Sequence, residues 1–280
     1  MTVSLDALVL PAYEDLEGLP GEAAPWHEAY SLEHTVEVAG TPGPLHHDGH
    51  LGVVPTGVGK AAAATTVSAL LSSPRVDVRG ALVCSVGVAG GPPAVPIGSV
   101  VVADTVLDWD DKCRFGGGSL ALNPYTGEQG VFRLDADLVE WGRSVANGVA
   151  LREPAASVEH GQTSERPPEI LGGVNVCGDE HWHGGAIAEQ VEWLLAERGV
   201  GEYRVTEMED AGTAFALERF GLLDRYLAVR GVANHDRPPG ENDPAESMFD
   251  PAFESGFGVA VENAVSVGQA IVDAHVAADS

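Results

Sequence analysis

Four short segments combine residue types that core packing does not require. In Val205-Thr206-Glu207-Met208-Glu209-Asp210-Ala211-Gly212, three carboxylates flank one methionine where an apolar strand gives way to a helix. Glu209 and Asp210 suit a helix N-terminus, whose dipole favours negative charge. Capping needs only one carboxylate, so the others are open to binding. In Val229-Arg230-Gly231-Val232-Ala233-Asn234-His235-Asp236-Arg237-Pro238-Pro239, an apolar run meets a dense polar cluster. Asn234, His235 and Asp236 could supply a donor, a titrating group and an acid. Asn and Asp before Pro also favour turns. No Ser occupies a nucleophile elbow, so a Ser-His-Asp triad is not indicated. Gly87-Val88-Ala89-Gly90-Gly91 follows an apolar strand; it is either a tight turn or a place where a flat ligand meets backbone amides. Cys177-Gly178-Asp179-Glu180-His181-Trp182-His183-Gly184 offers His-x-His with two acids. No third cluster has a ligand pattern and His46-His47 reads as part of a turn, so no metal is expected. His181 and Trp182 read instead as an aromatic wall for a planar ligand.

The elements that must position these segments alternate between strand and helix. Leu5–Leu10, His34–Val38, Gly52–Val54, Ala81–Val86, Ser99–Asp104, Val174–Cys177 and Tyr226–Val232 read as strands. Helices are expected from Lys60 to before Pro74, and over Asp135–Ala150, Ala186–Arg198, Glu209–Phe220 and Phe257–Val276. The alternation implies a doubly wound α/β domain, with the four segments at strand ends, where open α/β sheets place ligands. Residues 110–130 and 152–172 lack periodicity and read as surface insertions in one domain covering 1–280.

Composition narrows the function classes. The 280 residues carry 42 Asp and Glu against 15 Lys and Arg, a formal charge of −27. Such a chain repels phosphate backbones and anionic lipid, so nucleic-acid and membrane-surface roles are not expected. The most apolar stretch, Gly80–Val106, is broken by Pro92, Pro93 and Pro96 and does not read as a membrane span. Three scattered cysteines, Cys84, Cys113 and Cys177, give no disulfide framework and suit a reducing compartment. The N-terminus lacks a signal-peptide pattern, and a cytoplasmic, soluble protein is the expectation.

Taken in order, TGVGKAAAATTVSALLSSPRVDV, CSVGVAGGPPAVPIGSVVVADTV, CGDEHWHGG, VTEMEDAGTAFALERFG, VRGVANHDRPPGE and ESGFGVAVENAVSVGQAIV resemble the nucleoside phosphorylase superfamily. More narrowly they resemble its purine nucleoside permease family, over most of residues 50–275. The resemblance implies a three-layer α/β/α phosphorylase-type fold with a central twisted mixed sheet. It implies that Glu209 grips the ribose 2′ and 3′ hydroxyls while Met208 packs on the sugar. A carboxylate suits that task because it accepts two hydroxyl hydrogen bonds at once. Glu207 matches a Glu beside that pair in nucleosidases that cleave methylthioadenosine. Ala89 and Gly90 match backbone beside the base and sugar, and His181 and Trp182 fall where relatives stack an aromatic ring on the base. Glu22 matches an N-terminal Glu that activates water. Asn234 stands where relatives place an Asp that protonates purine N7.

The departures shape the expected chemistry. Asn234 cannot give the leaving base a full proton; it could instead hydrogen-bond N7 and O6, as in phosphorylases of similar pattern that favour 6-oxopurines, and its neighbours Asp236 and His235 could restore acid catalysis. Val88 replaces a Ser that holds phosphate or water, and the loop Pro11–Trp26 lacks a phosphate-binding Arg. Only Lys60, Arg230 and Arg237 lie where a cation could meet phosphate. The resemblance thus implies cleavage of the N-glycosidic bond of a purine-type nucleoside, with water favoured as nucleophile. Phosphorolysis, with inorganic phosphate as co-substrate, and a catalytically weak nucleoside-binding or storage protein are the alternatives. No other cofactor is implied; a homo-oligomer is.

Overall fold

Continuous apolar runs set the centre of the molecule. In the computed structural model, which describes residues 2–14, 21–154, 166–237, 243–245 and 252–279, they become strands buried on both faces. The elements are β1 (Val3–Ser4), β2 (Ala7–Leu10), α1 (Ala24–Ala29), β3 (His34–Val36), β4 (Leu45–His47), β5 (Leu51–Val53), α2 (Lys60–Ser72), β6 (Val76–Asp77), β7 (Leu82–Gly91) and β8 (Val100–Asp108). They continue with β9 (Lys112–Arg114), β10 (Leu120–Leu122), β11 (Val131–Arg133), α3 (Ala136–Ala146), β12 (Ile170–Cys177), α4 (Gly185–Arg198), β13 (Tyr203–Glu207), α5 (Asp210–Phe220), β14 (Tyr226–His235) and a final helix, Ala252–Asp279.

The main sheet runs β11-β8-β12-β13-β7-β2-β5-β4-β3, and β14 pairs with both β7 and β8. Its pairings are mixed: β7 lies parallel to β2 and β14 but antiparallel to β13. Because β14 bridges β7 to β8, the strands β7, β14, β8, β12 and β13 close on themselves. Ala89, Val95, Val101, Val205 and Val232 fill a small core of their own. The final helix packs on β7 and β14 with α1 and α3 beside it, while α2 and α5 pack on each other. The expected three-layer α/β/α arrangement around a twisted mixed sheet is the one adopted.

Two expectations change, for Gly87–Gly91 and for His46-His47. Gly87–Gly91 is neither a turn nor a loop but the second half of β7, whose ladder to β14 continues to Gly91. Its small residues serve close approach: a Cβ added at Gly87 would lie 2.4 Å from Glu22 Oε1. His46 and His47 lie in β4, paired with β3 and β5, not in a turn. Of the two aperiodic regions, 110–130 contains the β9–β10 hairpin. The other overlaps β12, which starts at Ile170, and its residues 155–165 lie outside the described residues.

Candidate active site

β13 delivers the acidic segment to the start of α5, and the three carboxylates divide there. Glu207 takes the capping role: its Oε2 accepts the backbone N–H of Glu209 at 2.6 Å and of Asp210 at 2.9 Å. Asp210 is fully buried and saturated. It accepts from Arg230 Nε at 2.9 Å, Asn175 Nδ2 at 2.7 Å and Tyr226 OH at 2.9 Å, with Arg230 Nη2 2.5 Å from its other oxygen. Glu209 makes no side-chain cap. Its Oε1 accepts one backbone N–H, from Gly59 at 3.0 Å, and its Oε2 stands 3.7 Å from Arg230 Nη1. Two acceptor oxygens of the segment are left unfilled among the described residues: Glu209 Oε2, and Glu207 Oε1, which is sealed in the interior.

The Gly59 donor belongs to the segment that opens α2. Gly59 has φ +94°, a conformation that favours glycine, and the next amide, Lys60, donates to Asp179 Oδ1 at 2.8 Å. The start of α2 thereby holds carboxylates from two strand ends. The sequence reading missed this amide; the Gly-Lys pair ahead of an Ala-rich helix was its signal.

Glu22 comes from a different direction and is 1% exposed. Its Oε2 accepts from Ala12 N at 2.7 Å and its Oε1 from Val88 N at 2.8 Å. Burial pushes its carboxyl up from the ordinary 4.5 to about 7, although Arg230 and the two amides favour the charged form and Glu209 opposes it. Burial also raises Glu207 and Glu209, with Asp210 adding repulsion to both. Four carboxyl groups therefore share one guanidinium, Arg230.

Arg230 is 1% exposed and bonds Asp210 and Ser85, with Glu207 Oε2 3.2 Å away. The expectation that it could meet phosphate is narrowed: Nε and Nη2 are committed to Asp210 and Ser85, and Nη1 faces Glu209 Oε2 at 3.7 Å. Lys60 is likewise held, with Nζ 2.6 Å from Asp108 and 2.7 Å from Asp110. Arg237 pairs with Asp236 at 2.8 Å.

On the far side of Gly90 lies the β14 segment. Gly90 pairs with Thr206 on one side and Asn234 on the other, so the two polar segments flank one glycine. Ala89 sits among the small barrel core. Asn234 Nδ2 donates to the His235 carbonyl at 2.8 Å, and His235 Nε2 faces the Val95 carbonyl at 3.2 Å. Burial lowers the His235 pKa, so its ring is held neutral. Asp236 corrects a second expectation. It is 1% exposed, and its oxygens accept from Tyr203 OH at 2.5 Å and Arg237 Nε at 2.8 Å. A carboxylate so committed fixes the strand end; it is not placed to protonate a leaving base.

The expected wall also divides. Trp182 is 8% exposed and packs in a core with Leu107, Trp109 and Val176, while the neighbouring His181 is exposed. Met208 is half-buried beside Glu209. Among the described residues no group of three His, Cys, Asp or Glu side chains assembles as a metal site.

Comparison with known proteins agrees with this fold. The chain is similar to a 5′-methylthioadenosine/S-adenosylhomocysteine nucleosidase of Neisseria meningitidis in complex with methylthio-immucillin-A. The TM-score is 0.68 at 17% identity, covering 97% of this chain and 99% of that one. It is similar also to a futalosine hydrolase of Helicobacter pylori, with TM-score 0.67 at 18% identity over 96% of this chain and 98% of that one. In sequence it is 25% identical over 223 residues to a probable purine nucleoside permease of Schizosaccharomyces pombe, covering 66% of this chain and 64% of that protein. It is 24% identical over 298 residues to a purine nucleoside permease of Candida albicans, covering 90% of this chain and 71% of that protein. Among the described residues no helix is long and apolar enough to cross a membrane. A family model described as purine nucleoside permease matches residues 5–278, and the chain belongs to that family.

Proposed function

We propose that the chain cleaves the N-glycosidic bond of a purine-type nucleoside and releases the free base, with water as nucleophile. The observation that carries this reading is the division of the acidic segment. Glu207 caps α5, Asp210 is saturated by Arg230, and Glu209 retains acceptor capacity at the mouth of α2. A vicinal diol donates two hydrogen bonds and fits such a carboxylate. Departure of the base leaves positive charge on the sugar, and buried carboxylates opposite it stabilise that state. Glu22, with a pKa near 7, is tuned for a base that accepts a proton from water. The names of the structural neighbours, nucleosidases and a hydrolase, support the same reaction class.

Water is preferred to phosphate because Lys60, Arg230 and Arg237 are each neutralised by carboxylates. A second reading, a nucleoside-binding protein with weak catalysis, is favoured by one observation. Asn234 and the committed Asp236 leave the base side without a carboxylic acid free to donate. Purified protein incubated with a panel of purine and pyrimidine nucleosides, with and without phosphate, separates the readings. The expected outcome is free purine base at equal rates in both buffers. Strict phosphate dependence assigns phosphorolysis, and saturable binding without base release assigns the binding protein. A homo-oligomer belongs to the same reading and is tested by sedimentation.

A further inference from the structure

Tyr13 lies just past β2, on the segment that leads toward α1. Its backbone is fixed on two sides. Ala23 N–H donates to the Tyr13 carbonyl at 3.3 Å, and the preceding Ala12 carbonyl accepts from Gly57 N at 2.9 Å. The ring packs against the main core. The hydroxyl is buried and has no hydrogen-bond partner among the described residues. Yet its neighbours tie it to both site carboxylates: the adjacent Ala12 N–H donates to Glu22 Oε2 at 2.7 Å, and Gly57, bonded to the Ala12 carbonyl, lies two residues before the Gly59 amide that holds Glu209. A buried phenol that bonds nothing is a cost to the fold, and most such groups in folded proteins find a partner.

The chemistry of the missing partner follows from its neighbours. Burial and the two carboxylates keep the phenol protonated, so Tyr13 is a donor. Glu209, when ionised, only accepts. A ligand group between them must accept from Tyr13 and donate to the carboxylate. Ethers, thioethers and fully ionised phosphates cannot do both; a hydroxyl can. We propose that the Tyr13 hydroxyl donates to a ring hydroxyl of the bound sugar, one that itself donates to Glu209. Tyr13 is then a substrate-contacting residue that selects the hydroxylated sugar. The assignment rests on the nucleoside reading above.

The test pairs Tyr13→Phe with sugar deletions. Wild type and variant are compared on a ribonucleoside and its 2′-deoxy and 3′-deoxy counterparts, by kcat/KM, equilibrium binding and Tm. Phe removes only the oxygen, so Tm is expected to hold or rise, since no internal hydrogen bond is lost. The variant is expected to lose roughly 10-fold in kcat/KM on the ribonucleoside. It should lose nothing further on the one deoxy sugar that lacks the contacted hydroxyl. Equal losses on all three sugars would point to water or the base and overturn the assignment, as would no loss on any. A lowered Tm with uniform loss would make Tyr13 structural and overturn it too. If wild type cleaves or binds while Tyr13→Phe matches it throughout, only the Tyr13 assignment fails. If wild type neither binds nor cleaves any nucleoside, the nucleoside reading fails and takes this one with it.

Discussion

At the residue scale the site is a problem of too many acids around one base. Asp210 and Arg230 satisfy each other, and Tyr226 and Asn175 complete the shell, so this pair is structural. Glu209 is different because no cation bonds it directly: it has the Gly59 amide, the neighbouring Glu207 side chain, and Arg230 only at 3.7 Å. Glu209→Gln keeps an acceptor for Gly59 and removes the charge that opposes a cationic sugar. Turnover should fall roughly 10²–10³-fold with Tm little changed; near-wild-type turnover in a folded variant would remove the residue from the mechanism. Glu22 makes a pH prediction of definite sign. Its folded pKa is near 7 against an ordinary 4.5. The unfolded chain therefore releases this proton first as pH rises, and stability falls between about pH 4.5 and 7, by on the order of 3 kcal/mol. If Glu22 is the base, as proposed, activity moves the other way, because the base must be ionised: kcat/KM should rise through pH 7. Glu22→Gln should flatten the rate profile and make the stability profile shallower, the remaining slope coming from Glu207, which burial raises to about 8; both are read across pH 5–8.5, by rate and by urea unfolding. The acidic residues were legible in the sequence as candidates. Their division of labour was not, since it depends on Asn175, Arg230 and Gly59, which lie 20 to 150 residues away in the chain.

At the element scale the site depends on how closely α2 and α5 approach. A Cβ at Gly212 would lie 2.2 Å from the Lys60 carbonyl oxygen, a contact with backbone that cannot rotate away. In an open helix Gly→Ala gains about 1 kcal/mol. Here Gly212→Ala should instead cost roughly 1–3 kcal/mol, because the helices must separate. Separation moves the Gly59 amide from Glu209, so urea midpoint and kcat/KM should fall together; a stabilised, active variant would show that the crossing is slack. The elements themselves were largely legible: apolar runs marked β7, β8 and β14, and the Ala-rich run marked α2. What stayed hidden was pairing. β7 extends through Gly87–Gly91 because β14 pairs along it to His235, a partner more than a hundred residues distant. The closure of the sheet through β14 and β8 likewise has no local signal. His46 and His47 read as a turn from composition, but β3 and β5 on either side make them a strand.

At the scale of the whole molecule, charge is the argument for the proposed choice of water over phosphate. A net −27 makes the folded chain repel itself and any dianion. The Debye length is about 30 Å at 0.01 M salt and about 8 Å at 0.15 M, so much of this repulsion is screened as salt rises. Tm should therefore climb over that range at fixed pH. A neutral nucleoside feels little of the field, and kcat/KM for base release should stay nearly flat in the same titration. A phosphate dianion would feel all of it, since Lys60, Arg230 and Arg237 are already matched to Asp108, Asp210 and Asp236. If phosphate were the attacking group, its apparent KM would drop steeply as salt screened its approach, and no base would appear without it. Flat base release from zero phosphate upward, alongside a rising Tm, is the expected pair of results. A salt-sensitive phosphate requirement would reverse the choice of nucleophile while leaving the proposed role of Glu209 at the sugar untouched.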